Sequence, residues 1–377
     1  MRYRRFGQTN RNLSVFSLGT MRYLASEETA YRVIQAATSR GINHVETARG
    51  YGKSEHYLGT ALRAGLLLPR SRFFITSKIV PLADADEMDR AIDQSLATLG
   101  LDYLDGLALH GVNTWEHLAR IEAATGCMAA VWRAVDDGRV RHVGFSTHAP
   151  LEIILRAIAT DQFAFINLHY YLFFQRHQPA LELAHAKDMG IFIISPADKG
   201  GMLYTPPPAL AQLCAPLSPL ALNYRFLLSD RRVTTLSVGP AVPEELDQPL
   251  AEADWEGNLT DVELAALERL DRQQAQTLGT DQCHQCYACL PCPEHIHIPE
   301  VLRLRNLAAA YDMTEFGRYR YGMFENAGHW FPGRRGDRCT ECGDCLPRCP
   351  SNLNIPALLA DAHDRLKGRD RRRLWDE

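Results

Sequence analysis

The chain has 377 residues, of which 46% are hydrophobic and 23% charged, an ordinary globular composition. Its formal net charge of -4 and isoelectric point of about 6.4 do not indicate nucleic acid or an anionic membrane as a partner. The amino terminus lacks the apolar core of a signal peptide, and no run approaches the roughly 20 apolar residues that span a bilayer. These features predict a soluble cytoplasmic protein. The basic tail, residues 367–377, is interpreted as a solvated chain end.

From the amino terminus to about residue 277, short β-rich runs alternate with longer segments of helical period. The predicted strands are residues 15–18, 43–47, 73–77, 103–109, 140–145, 163–168, 190–194 and 234–238. The helical segments between them include residues 27–40, 54–64, 86–98, 151–159, 177–189 and 208–228. Such alternation is typical of parallel strands that are joined by crossover helices.

Eight strands in roughly 250 residues favour a closed (β/α)8 TIM barrel over an open doubly wound sheet, which is the alternative. No GxGxxG follows the first strand, so a Rossmann-type dinucleotide site has no support. Residues 2–10 are predicted to form a hairpin across the lower mouth of the barrel. The segment over residues 114–137 is long for one helix, and a break in it is expected near Gly126. A last helix is expected over 260–274, with Thr260 as its cap.

The sequence pattern changes after residue 278, and we predict a barrel over 1–277 and a small, mainly α-helical domain over 278–377. That domain has few predicted strands, and helices are expected at 301–311 and 355–366. It holds eight of the 10 cysteines, whereas Cys127 and Cys214 lie alone in apolar surroundings and are predicted to be core residues. In a reducing compartment, grouped cysteines favour metal over disulfides.

The eight cysteines form two groups, each with three cysteines at CxxC spacing and a fourth followed by proline. This is the bacterial ferredoxin pattern, in which the fourth cysteine ligates the other cluster. We therefore predict two [4Fe–4S] clusters with crossed ligands. The predicted ligand sets are Cys283, Cys286, Cys289 and Cys349 for one cluster, and Cys339, Cys342, Cys345 and Cys292 for the other. The first group has one residue fewer before its last cysteine, and a pair of zinc sites is the alternative.

Distinctive side chains stand at the ends of successive predicted strands. Glu46 ends the second strand, with Tyr51 beyond it, and Lys78, His110 and Ser146 end the next three. The carboxyl ends of barrel strands meet at one mouth, so these residues are expected to lie together there. A tyrosine beside a lysine is a reasonable proton donor, because the ammonium is expected to lower the phenol pKa toward the working range.

With these residues the sequence resembles the aldo/keto reductase family over most of residues 1–275. The resemblance is carried by ETARGY at 46–51, SK at 77–78, LH at 109–110, LGT at 18–20, VGFS at 143–146 and VGPAVPEEL at 238–246. The carboxyl-terminal domain resembles the two-cluster ferredoxin module that is fused to one branch of that family. Together the two resemblances cover nearly the whole chain.

The resemblance implies that Tyr51 donates the proton and that Lys78 adjusts the pKa of Tyr51. It also implies that His110 orients the carbonyl oxygen and that Glu46 pairs with Lys78. It also implies that NADPH or NADH lies across the barrel mouth. The candidate cofactor contacts are Thr20, Met21, Ser146, Asn167, Ser195, Gly239 and Ala241.

The sequence departs from the family at four positions. Glu46 stands where the family has Asp, and Asn167 stands where it has Gln. Glu245 and Pro249 occupy the positions of a basic residue for the 2′-phosphate and an Asn for adenine. A carboxylate repels a 2′-phosphate, so three possibilities stay open: NADH as the cofactor, a different clamp for the 2′-phosphate, and weak cofactor binding.

Further residues are expected to face the substrate pocket, namely Arg49, His148, His169 and Tyr170. Arg49 is interpreted either as a clamp for a substrate carboxylate or as a salt bridge at the mouth.

The favoured function is a nicotinamide-dependent oxidoreductase acting on a carbonyl or alcohol, in which the clusters transfer electrons or stabilise the domain. The alternatives are an electron-transfer partner of a ferredoxin or another redox protein, and a barrel that senses redox state without catalysis. A nicotinamide moves two electrons as hydride whereas each cluster moves one, and no flavin motif is present to couple them.

Overall fold

The structure is a computed structural model, and it describes residues 1–66 and 69–370. Residues 371–377, the end of the predicted solvated tail, lie outside the described residues. The strands are β1 (Tyr3–Arg5), β2 (Asn12–Ser14), β3 (Phe16–Gly19), β4 (His44–Glu46), β5 (Phe74–Ile79), β6 (Leu104–Leu109), β7 (Val140–Ser146), β8 (Phe165–Leu168), β9 (Gly190–Ile193) and β10 (Thr235–Val238).

The helices are α1 (Glu27–Ser39), α2 (Ser54–Ala64), α3 (Ala85–Leu99), α4 (Trp115–Glu122), α5 (Cys127–Asp136), α6 (Leu151–Ala159), α7 (Gln178–Ala186), α8 (Pro208–Cys214), α9 (Pro219–Ser229), α10 (Asp247–Leu250), α11 (Asp261–Leu278), α12 (Ile298–Tyr311), α13 (Thr314–Tyr321) and α14 (Ile355–Leu366). Among the described residues, no helix is both long and apolar enough to cross a bilayer.

Strands β3 to β10 form a closed barrel in chain order, with β10 beside β3. Every neighbouring pair is parallel, as crossover helices require. The predicted (β/α)8 barrel is therefore confirmed, and the open sheet is wrong. Each predicted strand overlaps an observed one, and no bound differs by more than two residues. The prediction works because strands that are covered on both faces read as continuous apolar runs.

An amino-terminal hairpin closes the lower mouth as predicted, but it runs from Tyr3 to Ser14 and is longer than the predicted residues 2–10. Strand β1 pairs antiparallel with β2, and Phe6 between them is completely buried. The ring of Phe6 packs on those of Phe74 and Phe165, near the amino ends of β5 and β8. Gly7 follows at φ +51°, and a Cβ there would lie 2.3 Å from the backbone nitrogen of Gly190. Only glycine lets the hairpin approach β9 so closely.

The long helix predicted over 208–228 is wrong, because the structure has two helices there. Helix α8 ends at Cys214, and α9 begins at Pro219. Pro216 lies between them and has no N–H to continue α8, whereas Pro219 suits a first helical position. The break expected near Gly126 is present, since that residue caps α5.

The chain forms two compact units, Met1–Gly200 with Asn223–Asn258, and Gly201–Leu222 with Leu259 onward. The first unit holds the barrel. The second contains α8 and α11 to α14, in which α11 packs on α8 and α12, and α12 packs on α13 and α14. Thr260 and Glu263 form a capping box at the start of α11. Sequence reasoning missed α13, and the boundary at 277/278 stays a prediction.

Candidate functional site

The candidate site lies at the carboxyl ends of the barrel strands. Glu46 is the last residue of β4, Lys78 lies near the end of β5, and His110 directly follows β6. All three are almost completely buried. The structure therefore brings the predicted strand-end residues together at one mouth, where barrel folds carry their active sites.

Glu46 and Lys78 form a buried ion pair. Lys78 Nζ lies 2.8 Å from Glu46 Oε1, and the two side chains are 2% and 5% exposed. The ammonium also donates to the carbonyl oxygen of Thr47 at 2.9 Å. Burial lowers the pKa of Lys78 from its ordinary value, and the Glu46 carboxylate opposes that shift. The expected pairing of the longer acid with Lys78 is present.

The same oxygen of Glu46 has a second partner in the barrel. Asn167 Nδ2 donates to Glu46 Oε1 at 2.6 Å, across from β8. Asn167 Oδ1 is buried and accepts no hydrogen bond. Because the Glu46 carboxylate can only accept, it fixes the orientation of the amide and leaves the acceptor side of Asn167 available. Glu46 thus connects the predicted catalytic lysine to a predicted cofactor contact.

Tyr51 lies above this pair in a turn that the backbone holds tightly. The Arg49 N–H donates to the carbonyl of Lys78, and the Tyr51 N–H donates to the carbonyl of Ala48, so the turn is tied to β5. The Tyr51 ring meets the His110 ring edge to face, with centroids 5.5 Å apart. Lys78 Nζ lies 4.7 Å from the centroid of the tyrosine ring.

The expected lowering of the Tyr51 pKa by Lys78 is wrong for this structure. Burial raises the pKa of Tyr51 well above its ordinary value, and the negative charge of Glu46 raises it further. Glu46 lies 2.8 Å from the ammonium and compensates its charge. The ammonium also lies over the ring of Tyr51. Tyr51 is therefore a protonated phenol at neutral pH.

Beneath Glu46, the barrel interior holds a chain of hydrogen-bonded polar side chains. Thr235 Oγ1 and Ser17 Oγ are 2.7 Å apart, and Ser17 Oγ is 2.7 Å from His44 Nδ1. His44 Nε2 lies 2.9 Å from Thr76 Oγ1. Burial lowers the pKa of His44 to about 3, so this histidine is neutral at physiological pH.

The predicted cofactor contacts around this mouth differ in how deeply they are buried and in the hydrogen bonds that they make. Thr20 is fully buried, and its hydroxyl donates to the carbonyl of Glu46 at 3.0 Å. Ser146 Oγ accepts from the N–H of Gly111 at 3.1 Å, at the end of β7. Met21 is half-buried after β3, and Ser195 follows β9 at φ +51°.

Arg22, which sequence reasoning missed, closes one side of the mouth. Its guanidinium pairs with Glu245 at 2.9 Å and donates to the carbonyl of Gly239 at 3.0 Å. Glu245 also accepts from the N–H of Ala241 at 3.0 Å. Glu245, which stands in place of the family's basic residue, is thus neutralised by Arg22. The position of Arg22 two residues after LGT was the sequence signal that it lies at the mouth. Pro249 is buried in α10.

Lys199 was also missed, although it follows the predicted seventh strand. Its Nζ lies 3.0 Å from His148 Nε2. The His148 ring meets the His169 ring edge to face, with centroids 4.4 Å apart. A cation and two imidazoles therefore stand together after β7, β8 and β9. The sequence signal for Lys199 was its position a few residues after the predicted seventh strand.

Two of the residues expected to face the substrate pocket make other contacts. The Arg49 side chain is exposed and donates to Gln94 of α3. It forms no salt bridge with a described residue, so the salt-bridge interpretation is not supported. The Tyr170 ring stacks on Phe226 of α9, with centroids 5.7 Å apart. Tyr170 is an apolar packing residue at this position, because its ring is only 4% exposed.

The carboxyl-terminal cysteines line two separate cavities, each of about 330 Å³ including the open space at its entrance. The cysteines of one cavity are Cys283, Cys286, Cys289 and Cys349, and those of the other are Cys292, Cys339, Cys342 and Cys345. These are the two crossed sets that the spacing predicts. Four thiolates around one cavity suit an iron–sulfur cluster. The other two cysteines, Cys127 and Cys214, are completely buried, as predicted.

An internal repeat explains the crossing. Each cysteine group continues through Cys-Pro into an Ile-Pro pair that begins a helix, α12 or α14. The first cavity takes Ile355 from one repeat and Pro299 from the other. The second cavity is lined in the opposite way, by Ile298 from the first repeat and Pro356 from the second. Sequence reasoning noted the cysteines but missed the Ile-Pro part of the repeat.

Both cysteine loops also share a backbone conformation. In the first loop Gln285 and Tyr287 have φ of +56° and +62°, on either side of Cys286. In the second, Glu341 and Gly343 have φ of +55° and +82°, on either side of Cys342. Left-handed residues at the same positions curl each loop around its cavity.

Comparisons with known proteins agree with both parts of the chain. Residues 16–272 match the aldo/keto reductase family, and residues 273–353 match the 4Fe-4S dicluster domain. An aldo/keto reductase from Synechocystis sp. is 26% identical over 296 residues, 70% of this chain and 88% of that protein. L-galactose dehydrogenase from Arabidopsis thaliana is 28% identical over 203 residues, which cover 51% of this chain and 62% of that enzyme. The chain thus spans less than two thirds of the plant enzyme.

Solved structures show the same barrel. The holo form of an aldo-keto reductase from Bacillus halodurans superposes with a TM-score of 0.61 at 19% identity, covering 71% of this chain and 96% of that one. A putative aldo-keto reductase from Pseudomonas aeruginosa superposes with a TM-score of 0.55 at 23% identity, covering 67% and 93%. At these identities the likeness shows the fold. The extent of the sequence match decides the family: the chain belongs to the aldo/keto reductase family and carries a 4Fe-4S dicluster domain after its barrel.

Proposed function

We propose that the barrel is an oxidoreductase site of the aldo/keto reductase type that reduces a small-molecule carbonyl compound to an alcohol. The bound nicotinamide supplies the hydride in this reaction. The observation that carries the proposal is the grouping of Tyr51, His110 and Lys78, with Lys78 paired to Glu46. A phenol, an imidazole and a buried cation at one barrel mouth suit acid catalysis on a carbonyl oxygen.

The raised pKa of Tyr51 keeps the phenol in the protonated form that reduction needs. A phenol that stays protonated at neutral pH can donate its proton to the oxygen that becomes an alkoxide. The reverse reaction requires a phenolate, which burial and Glu46 disfavour. His110 then orients the carbonyl oxygen beside Tyr51, as its ring contact with the tyrosine allows.

Asn167 and Ser146 are proposed to hold the nicotinamide carboxamide. The unpartnered Asn167 Oδ1 is a buried acceptor beside the site, and the carboxamide NH2 is a donor that it fits. The other proposed contacts are Thr20, Met21, Ser195, Gly239 and Ala241. NADPH and NADH are both compatible with this mouth, because Arg22 and Glu245 neutralise each other and their pair favours neither cofactor.

The two cysteine-lined cavities are proposed to hold one [4Fe–4S] cluster each. An all-thiolate set of four in each cavity fits such a cluster, and the match to a dicluster domain supports this over zinc. The clusters supply one-electron transfer or cross-link the domain, and a ferredoxin-like protein fits the role of a one-electron partner.

Turnover by a Tyr51→Phe variant tests the proposed function. We expect NADPH or NADH oxidation with a panel of aldehydes and ketones, and a loss of about 10²- to 10⁴-fold in kcat for the variant, because the proton donor is gone. Tyr170→Phe is the matched control, since it removes a phenol hydroxyl outside the group and should keep wild-type rates. Equal rates in wild type and Tyr51→Phe would contradict the assignment.

A further inference from the structure

A cavity of arginine side chains lies at the amino-terminal end of the barrel, opposite the mouth that holds Glu46. It encloses about 1010 Å³, including its open entrance. The hairpin strand β1, the end of α7 and the segment before β10 form its walls. Its basic side chains are Arg2, Arg4, Arg5, His185, Arg231 and Arg232. Nothing in the proposed reaction uses this cavity.

Three of the arginines are neutralised by acids. Arg5 makes a bidentate pair with Asp188, with Nη–Oδ distances of 2.7 and 2.6 Å. Arg2 pairs with Glu256. Arg232 pairs with Asp230 at 2.6 Å and, more loosely, with the exposed Glu182 at 3.6 Å. These pairs shape the cavity wall without providing a free charge.

The other two arginines, Arg4 and Arg231, differ from these three in their contacts. Arg4 donates to three carbonyl oxygens, those of Leu228, Asp230 and Val233, and forms no salt bridge with a described residue. Arg231 is exposed and likewise forms no salt bridge within the described part of the chain. Both line the cavity, so two guanidinium groups without a direct salt bridge to a described residue border the same space.

The surroundings of Arg4 favour an anion. Burial, followed by the charge of Arg2, lowers the pKa of Arg4 from its ordinary value, and the nearby carboxylates of Asp230 and Glu256 oppose that shift. A guanidinium stays charged in proteins. The three carbonyl bonds also leave two of the five N–H groups of Arg4 for another acceptor. A neutral ligand would not relieve this concentration of positive charge, whereas a dianion would.

We propose that this cavity binds a phosphate group, either free phosphate or a small phosphate ester, between Arg4 and Arg231. Guanidinium groups match phosphate oxygens in geometry and charge, and a phosphate monoester carries nearly two negative charges at neutral pH. The ligand would connect β1 to the segment before β10, and binding is therefore expected to stabilise the folded chain.

Isothermal titration calorimetry of the full chain with inorganic phosphate and with glycerol 3-phosphate, at low ionic strength, tests the proposal. We expect one saturable site and a Kd that rises about tenfold or more in Arg231→Gln, since a charge-assisted hydrogen bond is lost. Arg90→Gln is the matched control, because it removes an exposed arginine charge from α3, outside the cavity, and should bind like wild type. Tighter binding of glycerol 3-phosphate identifies an ester ligand, and equal binding identifies free phosphate.

Two results would overturn the proposal: no saturable binding of either probe, or an equal loss of affinity in Arg231→Gln and Arg90→Gln, which would mean long-range attraction alone. The titration is independent of turnover, so its failure does not affect the proposed reduction. A rise in Tm with phosphate in wild type and Arg90→Gln, but not in Arg231→Gln, provides a second readout.

Discussion

Glu46 makes two contacts through one oxygen atom, to Lys78 and to Asn167. The carboxylate of Glu46 thus connects a residue of β5 with a residue of β8. Its negative charge also raises the pKa of Tyr51, after the larger effect of burial. We therefore propose that Glu46 is a positioning residue, which acts both on Tyr51, the proposed proton donor, and on Asn167, the proposed cofactor contact.

The pH profile of turnover tests this role. In Glu46→Gln the pKa of Tyr51 falls, because a negative charge that raises it is gone. Reduction needs the protonated phenol and is lost as pH rises through that pKa, so the falling limb of kcat/KM should move to lower pH by about one unit.

Glu46→Asp is the control for this profile because it keeps the charge and should shift the limb less. Circular dichroism of both variants shows whether the barrel folds, since a buried lysine without its partner costs about 3–5 kcal/mol of stability. An unchanged limb in folded Glu46→Gln would mean that Glu46 does not influence Tyr51.

At this scale, the sequence predicted the members of the site but not their electrostatics. Glu46, Lys78 and His110 were identifiable because strand ends in a barrel meet at one mouth. The direction of the Tyr51 pKa was not, since it depends on burial and on how closely Glu46 compensates the ammonium. Arg22 and Lys199 were missed because their partners, Glu245 and His148, are distant in the sequence.

At the scale of elements, the two cysteine repeats are interleaved. Each cavity takes three cysteines from one loop and the fourth from the other, although the first loop has one residue fewer before its Cys-Pro. The ferredoxin spacing predicted this crossing, and both cavities have the predicted cysteines. The Ile-Pro pairs that begin α12 and α14 place the fourth cysteine beside the opposite loop.

Paired substitutions test the crossing through iron content. Cys283→Ser with Cys349→Ser removes two ligands of one predicted cluster, so about four of about eight irons should remain. Cys339→Ser with Cys349→Ser damages both predicted clusters, and almost no iron should remain.

Cys214→Ser, outside both cavities, is the control for these pairs and should keep full iron content. The reverse order, with more iron in the second pair than in the first, would show that each cluster takes all four ligands from its own loop.

The helices show where sequence patterns are insufficient. Apolar periodicity predicted one helix over 208–228, because the period continues across the break. The helix nevertheless breaks there, because Pro216 has no N–H to continue α8 and Pro219 begins a new helix. Helix α13 was missed because its sequence, TEFGRYRY, has little helical apolar period, although several of its residues are buried against neighbouring helices.

For the whole molecule, the barrel was predictable because eight buried strands alternate with helices in one continuous series. The assignment of α8 to the second unit was not, since it lies within the barrel sequence and packs on α11, far along the chain. We propose that reduction takes place at the barrel mouth by direct hydride transfer, with the clusters outside that step.

Transfer of deuterium from labelled cofactor tests this claim most directly. The purified holoprotein is given a reactive aldehyde and NADPH or NADH that carries deuterium at one face of C4, and the alcohol is analysed by mass spectrometry. We predict one deuterium on the carbinol carbon from one of the two labelled faces and none from the other, because a nicotinamide fixed in the site presents a single face. An alcohol without deuterium from either cofactor face would contradict the account and indicate electrons delivered through the clusters.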